Sequence, residues 1–469
     1  MRTHLRKLSV VTLLLALAAP RAARGAGDGK DEGEDRWVAI QCGKLITGTG
    51  DEKEKVTLLI KNGKVELISE KVELPHPCQV IDASKLVVMP GLIGAHSRLS
   101  LLDYQRGGLR ADLRVIDEFL PAVDSFEVAL ANGFTTLQLV APGGQGVPGR
   151  SLVVRTADIG AGLVVDDDGS VKINLLNPAM DRRVLGEALQ GAKREIEKVD
   201  KARADFEAKK KAAQEAEQKK KEEEAKKQQA APANPPQGGA PPAPAPAPAP
   251  AEAPKPEEQF QAPPIAPPLQ PFVDLIQKKP GSFALVKLGG ASTYLHFLEA
   301  TKDFDIAHVV YPEVTRAAGR PQAFSGVSGT DLHWAAKQFG EHKELVLLAP
   351  YLSYVQGAVD FINIPKEFIA AGARVALTPA SDGADEFANF RFNVNELIKG
   401  GMKRADAIGA LSKNAAEAVG LADRLGTIEP GKDANVLLLT GDPFDVQSQI
   451  DRVVIEGAIA WTRDRKARS

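Results

Sequence analysis

Short apolar segments alternate with amphipathic ones from Met89 onward, and this alternation limits the possible folds more than any other feature. The apolar segments include residues 135–140, 284–288, 345–348 and 375–377. Alternation of buried strands with helical segments is typical of parallel α/β folds, because each helix covers the sheet between two parallel strands. The pattern therefore predicts an α/β chain, most economically a barrel.

The residues before this alternation have a strand pattern. Short apolar runs lie between Trp37 and Val88, and the pair Asn62-Gly63 separates two of them. An Asn-Gly pair between apolar runs is a strong signal for a β-hairpin. The first part of the chain is therefore predicted to be a small β-region.

The tail returns to strands at residues 434–439 and 453–459. The two termini of a domain commonly lie close together in space. We therefore expect the first and last strands to form one small β-sandwich domain that encloses the barrel in sequence. The predicted boundaries are residues 36–86 and 426–465 for the composite β-sandwich and residues 87–425 for the barrel.

Residues 184–271 interrupt the alternation and are predicted to be an insertion within the barrel. The first half, through Gln229, is rich in Lys, Glu and Ala with opposite charges four residues apart, which is typical of a long solvated helix or a coiled coil. The second half, residues 232–268, consists largely of Ala-Pro repeats, which favour extended polyproline II structure. We interpret the insertion as a charged helix followed by a disordered linker; a binding module is the alternative.

The first 26 residues have the pattern of a signal peptide. A basic start is followed by an apolar run from Leu8 to Ala19 and then by small residues. The chain is therefore expected to be exported, and thus periplasmic or secreted. No later segment approaches the ~20 uninterrupted apolar residues that a membrane span requires, so no transmembrane segment is predicted.

Charge and cysteine content narrow the partners further. The 59 Lys and Arg residues balance 61 Asp and Glu residues, for a net charge of -2, so no overall field favours nucleic acid. Two cysteines are present, Cys42 and Cys78. They are predicted to be separate thiols, with a disulfide between them as the alternative, because their spacing does not fix the geometry of their Cβ atoms.

Two motifs at opposite ends of the predicted barrel resemble a known family. Residues 89–96, Met-Pro-Gly-Leu-Ile-Gly-Ala-His, are similar to the opening barrel motif of the amidohydrolase superfamily, and residues 426–436 resemble its C-terminal segment. Residues 132–136 and 375–382 match intermediate landmarks, and the Gly-rich stretch 143–154 is similar to that of the imidazolonepropionase-like branch. We expect residues 143–149 to be a flexible active-site loop. The resemblance implies a TIM-like (β/α)8 barrel with a metal-dependent hydrolase site.

The resemblance also implies where metal ligands are expected, and several of those positions hold other residues. The first strand of the family ends in His-x-His, whose two imidazoles lie on one side of the strand and grip one metal. This chain has His96-Ser97-Arg98. An arginine is permanently charged and has no lone pair for a metal.

Later strands of the family supply further histidines. Lys287 stands where the first of these is expected, and Tyr311 stands at the next, although a three-residue shift in register would supply His308 instead. Asp382 aligns with the aspartate at the end of the eighth strand, which takes a proton from the metal-bound water in active relatives. His96 and Asp382, with His308 as a third candidate, are thus the expected ligands of at most one divalent metal, Zn or similar, and the absence of any metal is the alternative.

The substitutions have a physical interpretation. Without metals, Asp382 would be an uncompensated carboxylate in the barrel mouth, which is costly. We expect Arg98 and Lys287 to supply the missing positive charge in an ion-paired cluster with Asp382, with His96 and Tyr311 nearby. Such a mouth is a concave pocket for a small-molecule ligand, including a small anion.

Two functions follow from these residues. The first is a hydrolase of non-peptide C–N bonds, such as those of a cyclic amide, with impaired or atypical metal-dependent catalysis. The second is a catalytically inactive pseudoenzyme that acts as an exported binding or scaffold protein, as a homo-oligomer or paired with an active relative.

Overall fold

The computed structural model describes residues 35–102, 107–121, 123–160, 162–229, 259–312, 330–354 and 361–463. The predicted signal peptide and most of the predicted Ala-Pro linker lie outside these residues. Among the described residues, no helix has the length and apolar composition needed to span a bilayer.

The strands are numbered in chain order. They are β1 (Trp37–Ile46), β2 (Glu52–Lys61), β3 (Lys64–Ser69), β4 (Cys78–Pro90), β5 (Leu92–Ser97), β6 (Phe134–Leu139), β7 (Gly146–Arg150), β8 (Leu152–Arg155), β9 (Val164–Asp166), β10 (Val171–Leu175), β11 (Ala284–Leu288), β12 (His308–Pro312), β13 (Leu345–Leu348), β14 (Ser353–Tyr354), β15 (Phe361–Ile362), β16 (Arg374–Leu377), β17 (Val436–Leu439), β18 (Ile450–Ile455) and β19 (Ala458–Thr462).

The α-helices follow the same numbering. They are α1 (Glu127–Ala131), α2 (Pro178–Gln229), α3 (Gln270–Ile276), α4 (Ala291–Thr301), α5 (Ala336–Glu341), α6 (Ile364–Ala371), α7 (Ala384–Lys399), α8 (Arg404–Leu411) and α9 (Lys413–Ala418).

The first and last strands of the chain form one seven-stranded sheet in the order β19-β18-β17-β4-β1-β2-β3. The connection between the two ends is the antiparallel pairing of β4 with β17, in which Met89 lies opposite Leu437. One face of the sheet has its own core, which includes Ile40, Leu58 and Leu438. The expected association of the two ends therefore takes the form of a single hydrogen-bonded sheet.

The turn between β2 and β3 has the conformation that its sequence predicts. Asn62 has φ of 50° and Gly63 has φ of 83°. Two successive residues with positive φ define the hairpin turn that Asn-Gly favours. In the neighbouring strands, Cys42 pairs with Ala83 and Cys78 pairs with Trp37, so the two cysteines lie several residues apart along parallel strands and both are free thiols.

The α/β part of the chain contains two larger sheets. One has four strands in the order β5-β6-β8-β9, and the other has six in the order β16-β13-β12-β11-β10-β7. Strands β10, β11, β12, β13 and β16 run parallel to one another, as the alternation with helices requires, whereas the edge strand β7 is antiparallel to β10. One face of these sheets packs against the helices in the main core.

The opposite faces of the two sheets share a second core. Ile93 of β5 and Val153 of β8 join Leu285, Val309 and other residues of the six-stranded sheet in one buried cluster. Residues of α9, including Ala415 and Ala416, belong to the same cluster. The inward faces of the two sheets therefore bury each other's apolar side chains.

The predicted insertion begins inside a helix of the main core. Helix α2 starts at Pro178, before the predicted boundary at Val184, and its side chains Leu185 and Leu189 are buried. The first turns pack against α3 and α4 because this stretch carries apolar residues at helical spacing. Beyond about residue 200 the described side chains of α2 are mostly exposed. Only this distal part has the solvated character that the charge pattern predicts.

An ion pair connects the α/β part to the seven-stranded sheet. Arg155, at the end of β8, is 2% exposed and pairs with Glu456 in the turn between β18 and β19. The same guanidinium donates to the carbonyl of Gly162 at 2.8 Å. A buried charge needs such partners, so this contact fixes the position of the C-terminal hairpin against β8.

Candidate functional site

A row of polar side chains crosses three neighbouring strands near their carboxyl ends. Asn174 of β10 is in register with Lys287 of β11, and Lys287 is in register with Tyr311 of β12. The residues that precede Lys287 and Tyr311 in sequence, Val286 and Val310, lie in the main core on the helix side. Because side chains alternate between the two faces of a strand, the polar row faces the shared inner core.

A second lysine lies next to this row. Lys172 of β10 is in register with Leu285 and is 5% exposed. Its Nζ atom donates to the carbonyl oxygens of Ala141 at 2.7 Å and Gly143 at 3.4 Å. Burial, together with the charges of Lys287 and Arg98, lowers the pKa of Lys172 to about 7. The sequence-based site did not include this residue, although the pattern Val-Lys-Ile-Asn-Leu alternates as a half-polar strand does.

His96 lies across the inner face from the polar row. Its ring centroid is 4.9 Å from that of Tyr311, at an interplanar angle of 51°. Burial and the charges of Lys172, Lys287 and Arg98 lower the pKa of His96 to about 3. The imidazole is therefore neutral at physiological pH and is surrounded by cations.

Asp382 follows β16 and is hydrogen-bonded to the residues after His96. Its Oδ1 accepts from the hydroxyl of Ser97 at 2.7 Å, and its Oδ2 accepts from the backbone N–H of Arg98 at 2.7 Å. Burial raises the pKa of Asp382, although these two hydrogen bonds and the Arg98 charge act in the opposite direction. The carboxylate thus joins the end of β5 to the end of β16.

We call Arg98, Lys172 and Lys287 the cationic cluster. The ion-paired group of Arg98, Lys287 and Asp382 stays a prediction; the backbone N–H of Arg98 donates to Asp382. The charge of Lys287 lowers the pKa values of His96 and Lys172. Ser97, which carried no role in the sequence-based site, supplies the second bond to Asp382.

His308 lies away from the candidate site. It begins β12, and its Nε2 is 2.8 Å from Oε2 of Glu344 while its Nδ1 is 2.9 Å from the carbonyl of Ile306. His308 and Tyr311 are three residues apart on one strand, so their side chains lie on opposite faces. The structure therefore corrects the alternative register: Tyr311 faces the site, and His308 faces the helices, where its ring contacts Phe297.

The Gly-rich stretch 143–154 contains strand β7 and most of strand β8, and residues 146–149 of the predicted flexible loop 143–149 belong to β7. Residues 146–150 form β7, which pairs with β10. Asp181, which is 3% exposed in the first turn of α2, accepts from the backbone N–H groups of Gly146 at 3.2 Å and Asn177 at 2.7 Å. A buried carboxylate with several N–H donors holds its neighbours in place, which accounts for the order of this stretch.

Comparisons with known proteins agree with this fold. A model of the amidohydrolase family matches residues 286–460. A dihydroorotase from Geobacter metallireducens is 37% identical over 62 residues, a match that spans 13% of this chain and 15% of that enzyme. The crystal structure of an amidohydrolase from Thermotoga maritima superposes with a TM-score of 0.62 at 21% identity, over 91% of this chain and 100% of that one.

Residues 286–460 are thus similar to the amidohydrolase family, and the chain shares a TIM-barrel-like α/β fold with the Thermotoga maritima structure. The stretch shared with the dihydroorotase is a small part of that enzyme, so the match does not transfer that enzyme's activity to this chain.

Members of this family usually bind divalent metals, and the residues of this site do not fit one. His96 is neutral and could donate a lone pair, but three cations surround it. Both oxygens of Asp382 are engaged by Ser97 and Arg98. Across the described ranges, no group of three or more His, Cys, Asp or Glu side chains is placed to hold a metal ion. A dication at this position would be repelled by the cationic cluster.

Proposed function

We propose that this protein is a member of the amidohydrolase superfamily that binds a small-molecule ligand at the carboxyl ends of its strands and holds no catalytic divalent metal there. The observation that supports this proposal is the placement of Arg98, Lys172 and Lys287 around a neutral His96. A set of cations disfavours a metal and leaves a polar, partly exposed surface for another ligand. Under this proposal the chain is a pseudoenzyme of its superfamily.

We further infer that the two α/β sheets are arcs of one (β/α)8-type barrel. The shared inner core joins strands of both sheets. The contact between His96 of β5 and Tyr311 of β12 crosses from one sheet to the other, as does the bond between Ser97 and Asp382. In barrels of this type ligands bind at the carboxyl ends of the strands, which is where these residues lie. We also propose that the seven-stranded sheet, with its separate core, stands in the place of the predicted β-sandwich.

Metal analysis of the purified full chain tests the central proposal. The protein is treated with a chelator, supplied with Zn, Mn or Fe, and passed over a desalting column before elemental analysis. We expect metal content well below one ion per chain, and the same content in a His96→Ala variant. A near-stoichiometric metal that is lost in the His96→Ala variant would overturn the proposal.

A second candidate function is hydrolysis of a non-peptide C–N bond, such as that of a cyclic amide. The observation that favours it is Asp382, a buried carboxyl group at the strand ends whose pKa is raised by burial, because groups that exchange protons in catalysis commonly have perturbed pKa values. Dihydroorotate is a suitable first probe, because the sequence relative is named for it. Turnover by the chelated protein that is abolished by Asp382→Asn would establish this candidate over the first.

We also propose that the chain is exported and that the exposed part of α2 serves as an attachment arm, either to a second copy or to an active relative. The side chains of α2 beyond about residue 200 are mostly exposed. Expression with the full N-terminus followed by cell fractionation tests export. Light scattering of the full chain, and of a variant shortened within the arm, tests self-association.

A further inference from the structure

We propose that a cavity between helix α7 and the connection from β17 to β18 binds a small carboxylate with an apolar body. The cavity has a volume of about 270 Å³, and we call it the α7 cavity. Among the described residues that line it, none belongs to the candidate functional site. The inference therefore goes beyond the proposed function and does not depend on it.

The α7 cavity has a guanidinium in its wall. Arg391 lies on α7 and is partly buried. Its Nη1 atom donates to the carbonyl oxygen of Pro443 at 3.1 Å, and its Nη2 atom donates to that of Ser448 at 3.1 Å. Both acceptors are neutral, and within the described part of the chain no Asp or Glu side chain forms an ion pair with Arg391. The positive charge is therefore held in the wall by carbonyl groups alone.

Arg391 also retains donors for a ligand. A guanidinium has five N–H donors in one plane, and the bonds to Pro443 and Ser448 use two of them. Two parallel N–H groups of a guanidinium match the two oxygens of a carboxylate. Burial lowers the pKa of Arg391, and an anionic partner would offset this effect of burial on the charged form. Arg391 therefore favours an anion over a neutral ligand.

A buried hydroxyl lies in the same wall. Ser448 is 6% exposed and lines the cavity, and its Oγ atom has no hydrogen-bond partner in the ranges that the structure describes. The carbonyl of Ser448, rather than its hydroxyl, accepts from Arg391. A buried hydroxyl without a partner costs free energy, and a carboxylate oxygen in the cavity would accept a hydrogen bond from it. Arg391 and Ser448 can thus donate to the same anionic group.

The other side chains of the wall limit what else the ligand carries. Phe392 is 47% exposed and Val446 is 67% exposed, so apolar surface lies beside the guanidinium. Asp445 also lines the cavity, and its Oδ1 accepts from the backbone N–H of Gln447 at 2.9 Å. The charge of Asp445 would repel a second negative charge on the ligand and attract an ammonium. The cavity therefore suits a ligand with one carboxylate and an apolar body, either a simple acid or an α-amino acid.

Ligand-observed NMR titration of the full chain with 3-phenylpropionate is the first test. We expect binding in the millimolar range, and the uncharged 3-phenylpropionamide should bind about 10-fold more weakly, because it lacks the charge that strengthens the hydrogen bonds. Phenylalanine carries the same ring and carboxylate with an added ammonium. Tighter binding of phenylalanine would identify an α-amino acid as the ligand, and weaker binding a simple acid. Absence of binding by both carboxylates, or equal affinity for the acid and its amide, would overturn the inference.

Two variants locate the bound carboxylate. Ser448→Ala removes the hydroxyl and keeps the carbonyl that holds Arg391, so it should fold and should weaken binding by about 5-fold or more. Arg391→Met should weaken binding by about 10-fold or more, and thermal unfolding is measured on it because it also loses two bonds to the connection.

Ser353→Ala is the matched control for the hydroxyl. Ser353 of β14 is 2% exposed, and its Oγ atom likewise has no hydrogen-bond partner in the described ranges, but it lies outside the α7 cavity. This variant should leave the affinity for 3-phenylpropionate unchanged. Affinity that is unchanged in Ser448→Ala, or lowered equally in Ser353→Ala, would contradict the inference even if Arg391→Met does not fold.

Discussion

Two histidines lie near opposite ends of strand β12 and have opposite electrostatic surroundings. His308 belongs to β12, and His96 belongs to β5. His308 begins the strand and faces the helices, where its Nε2 is 2.8 Å from a carboxylate oxygen of Glu344. Glu344 also accepts a hydrogen bond of 2.9 Å from the hydroxyl of Tyr294. His96 lies at the other end, where it contacts Tyr311 and is surrounded by the cationic cluster.

Burial acts in the same direction on both imidazoles, so their neighbours produce the difference. Burial lowers the pKa of His308, but the hydrogen bond to Glu344 and the charge of that carboxylate outweigh it and raise the pKa overall. At His96 burial and the three cations act together, and the pKa falls to about 3. His308 therefore faces a carboxylate, whereas His96 faces three cationic side chains.

The difference separates a stabilising region from a functional one. A buried imidazole beside a carboxylate, as at His308 and Glu344, contributes to a unique packing of helix and strand. A cluster of like charges lowers stability and persists where function requires it. The following predictions test whether the two ends of β12 differ in this way.

The largest effect is expected at the helix-facing end. Replacement of Glu344 by Gln removes the carboxylate from a site that is 5% exposed and leaves His308 without its charge partner. Loss of one member of a buried ion pair destabilises a protein by about 3–5 kcal/mol. Urea unfolding should show a loss of this size at neutral pH.

Glu341→Gln is the matched control for this prediction. Glu341 ends α5, and its side chain is 58% exposed beside Lys337. Loss of an exposed ion pair should change the free energy of unfolding by less than about 1 kcal/mol. Equal losses in the two variants would show that the pairing of His308 with Glu344 has no special weight.

The second prediction concerns the dependence of stability on pH. The folded pKa of His96, about 3, is below its ordinary value of 6.5. As pH falls below 6.5, the unfolded state therefore binds a proton at this histidine and the folded state does not, which lowers stability. The stability of the wild type relative to His96→Gln should therefore decrease as pH falls, by roughly 3 kcal/mol at about pH 4.5, which is about two units below 6.5, since one pKa unit corresponds to about 1.4 kcal/mol.

His308→Gln should show the opposite trend. The folded pKa of His308 is raised, so its stabilising contribution is present at low pH and is lost as pH rises through that value. Urea unfolding of both variants and the wild type from about pH 4.5 to about pH 8.5 compares the two trends. Trends of the same sign would break the comparison between the two ends of β12.

Sequence patterns were sufficient for much of the fold. The end motifs at residues 89–96 and 426–436 and the alternation of strands and helices indicate the α/β class and the association of the two termini. Side chains alternate between the two faces of a strand, so the register of β11 with β12 places Lys287 and Tyr311 on one face. The order of the Gly-rich stretch depends on Asp181, a contact between segments that no local pattern contains.

The remaining parts of the site depend on contacts between distant segments. Register in β12 decides between Tyr311 and His308, and only its pairing with β11 fixes it. Lys172 lies on a short strand between a Gly-rich stretch and a long helix, where the alternation of apolar and helical segments is hard to recognise. The bond from Ser97 to Asp382 joins residues 285 positions apart and follows from the closure of the fold.

The third prediction sharpens the contrast at the strand ends. Lys172→Met should stabilise the protein by about 1.5 kcal/mol at neutral pH in buffer without oxyanions, because a buried, repelled ammonium is replaced by a flexible apolar side chain. The folded pKa of Lys172, about 7, is below its ordinary value of 10.5, so the unfavourable contribution is fully present below pH 7 and decreases as pH rises toward 10.5. Urea unfolding at two pH values in this range measures both effects. Lys337→Met is the control, since this side chain is 83% exposed on α5, and it should show neither effect. Destabilisation by Lys172→Met would mean that the bonds to Ala141 and Gly143 outweigh the repulsion.

The smallest effect is expected at the bond that connects β5 to the end of β16. Ser97→Ala removes the hydroxyl that donates to Asp382 at 2.7 Å and leaves the second bond, from the backbone of Arg98, in place. Loss of one hydrogen bond to a charged group should lower stability by about 1 kcal/mol at neutral pH. Because that hydroxyl lowers the pKa of Asp382, the variant should also raise this pKa further, which carboxyl titration by NMR can detect. Ser381→Ala, next to Asp382 in sequence, is the control for local packing. An unchanged pKa in Ser97→Ala would mean that burial alone sets the protonation of Asp382, and the strand-end region would then differ from the His308 pair in its cations only.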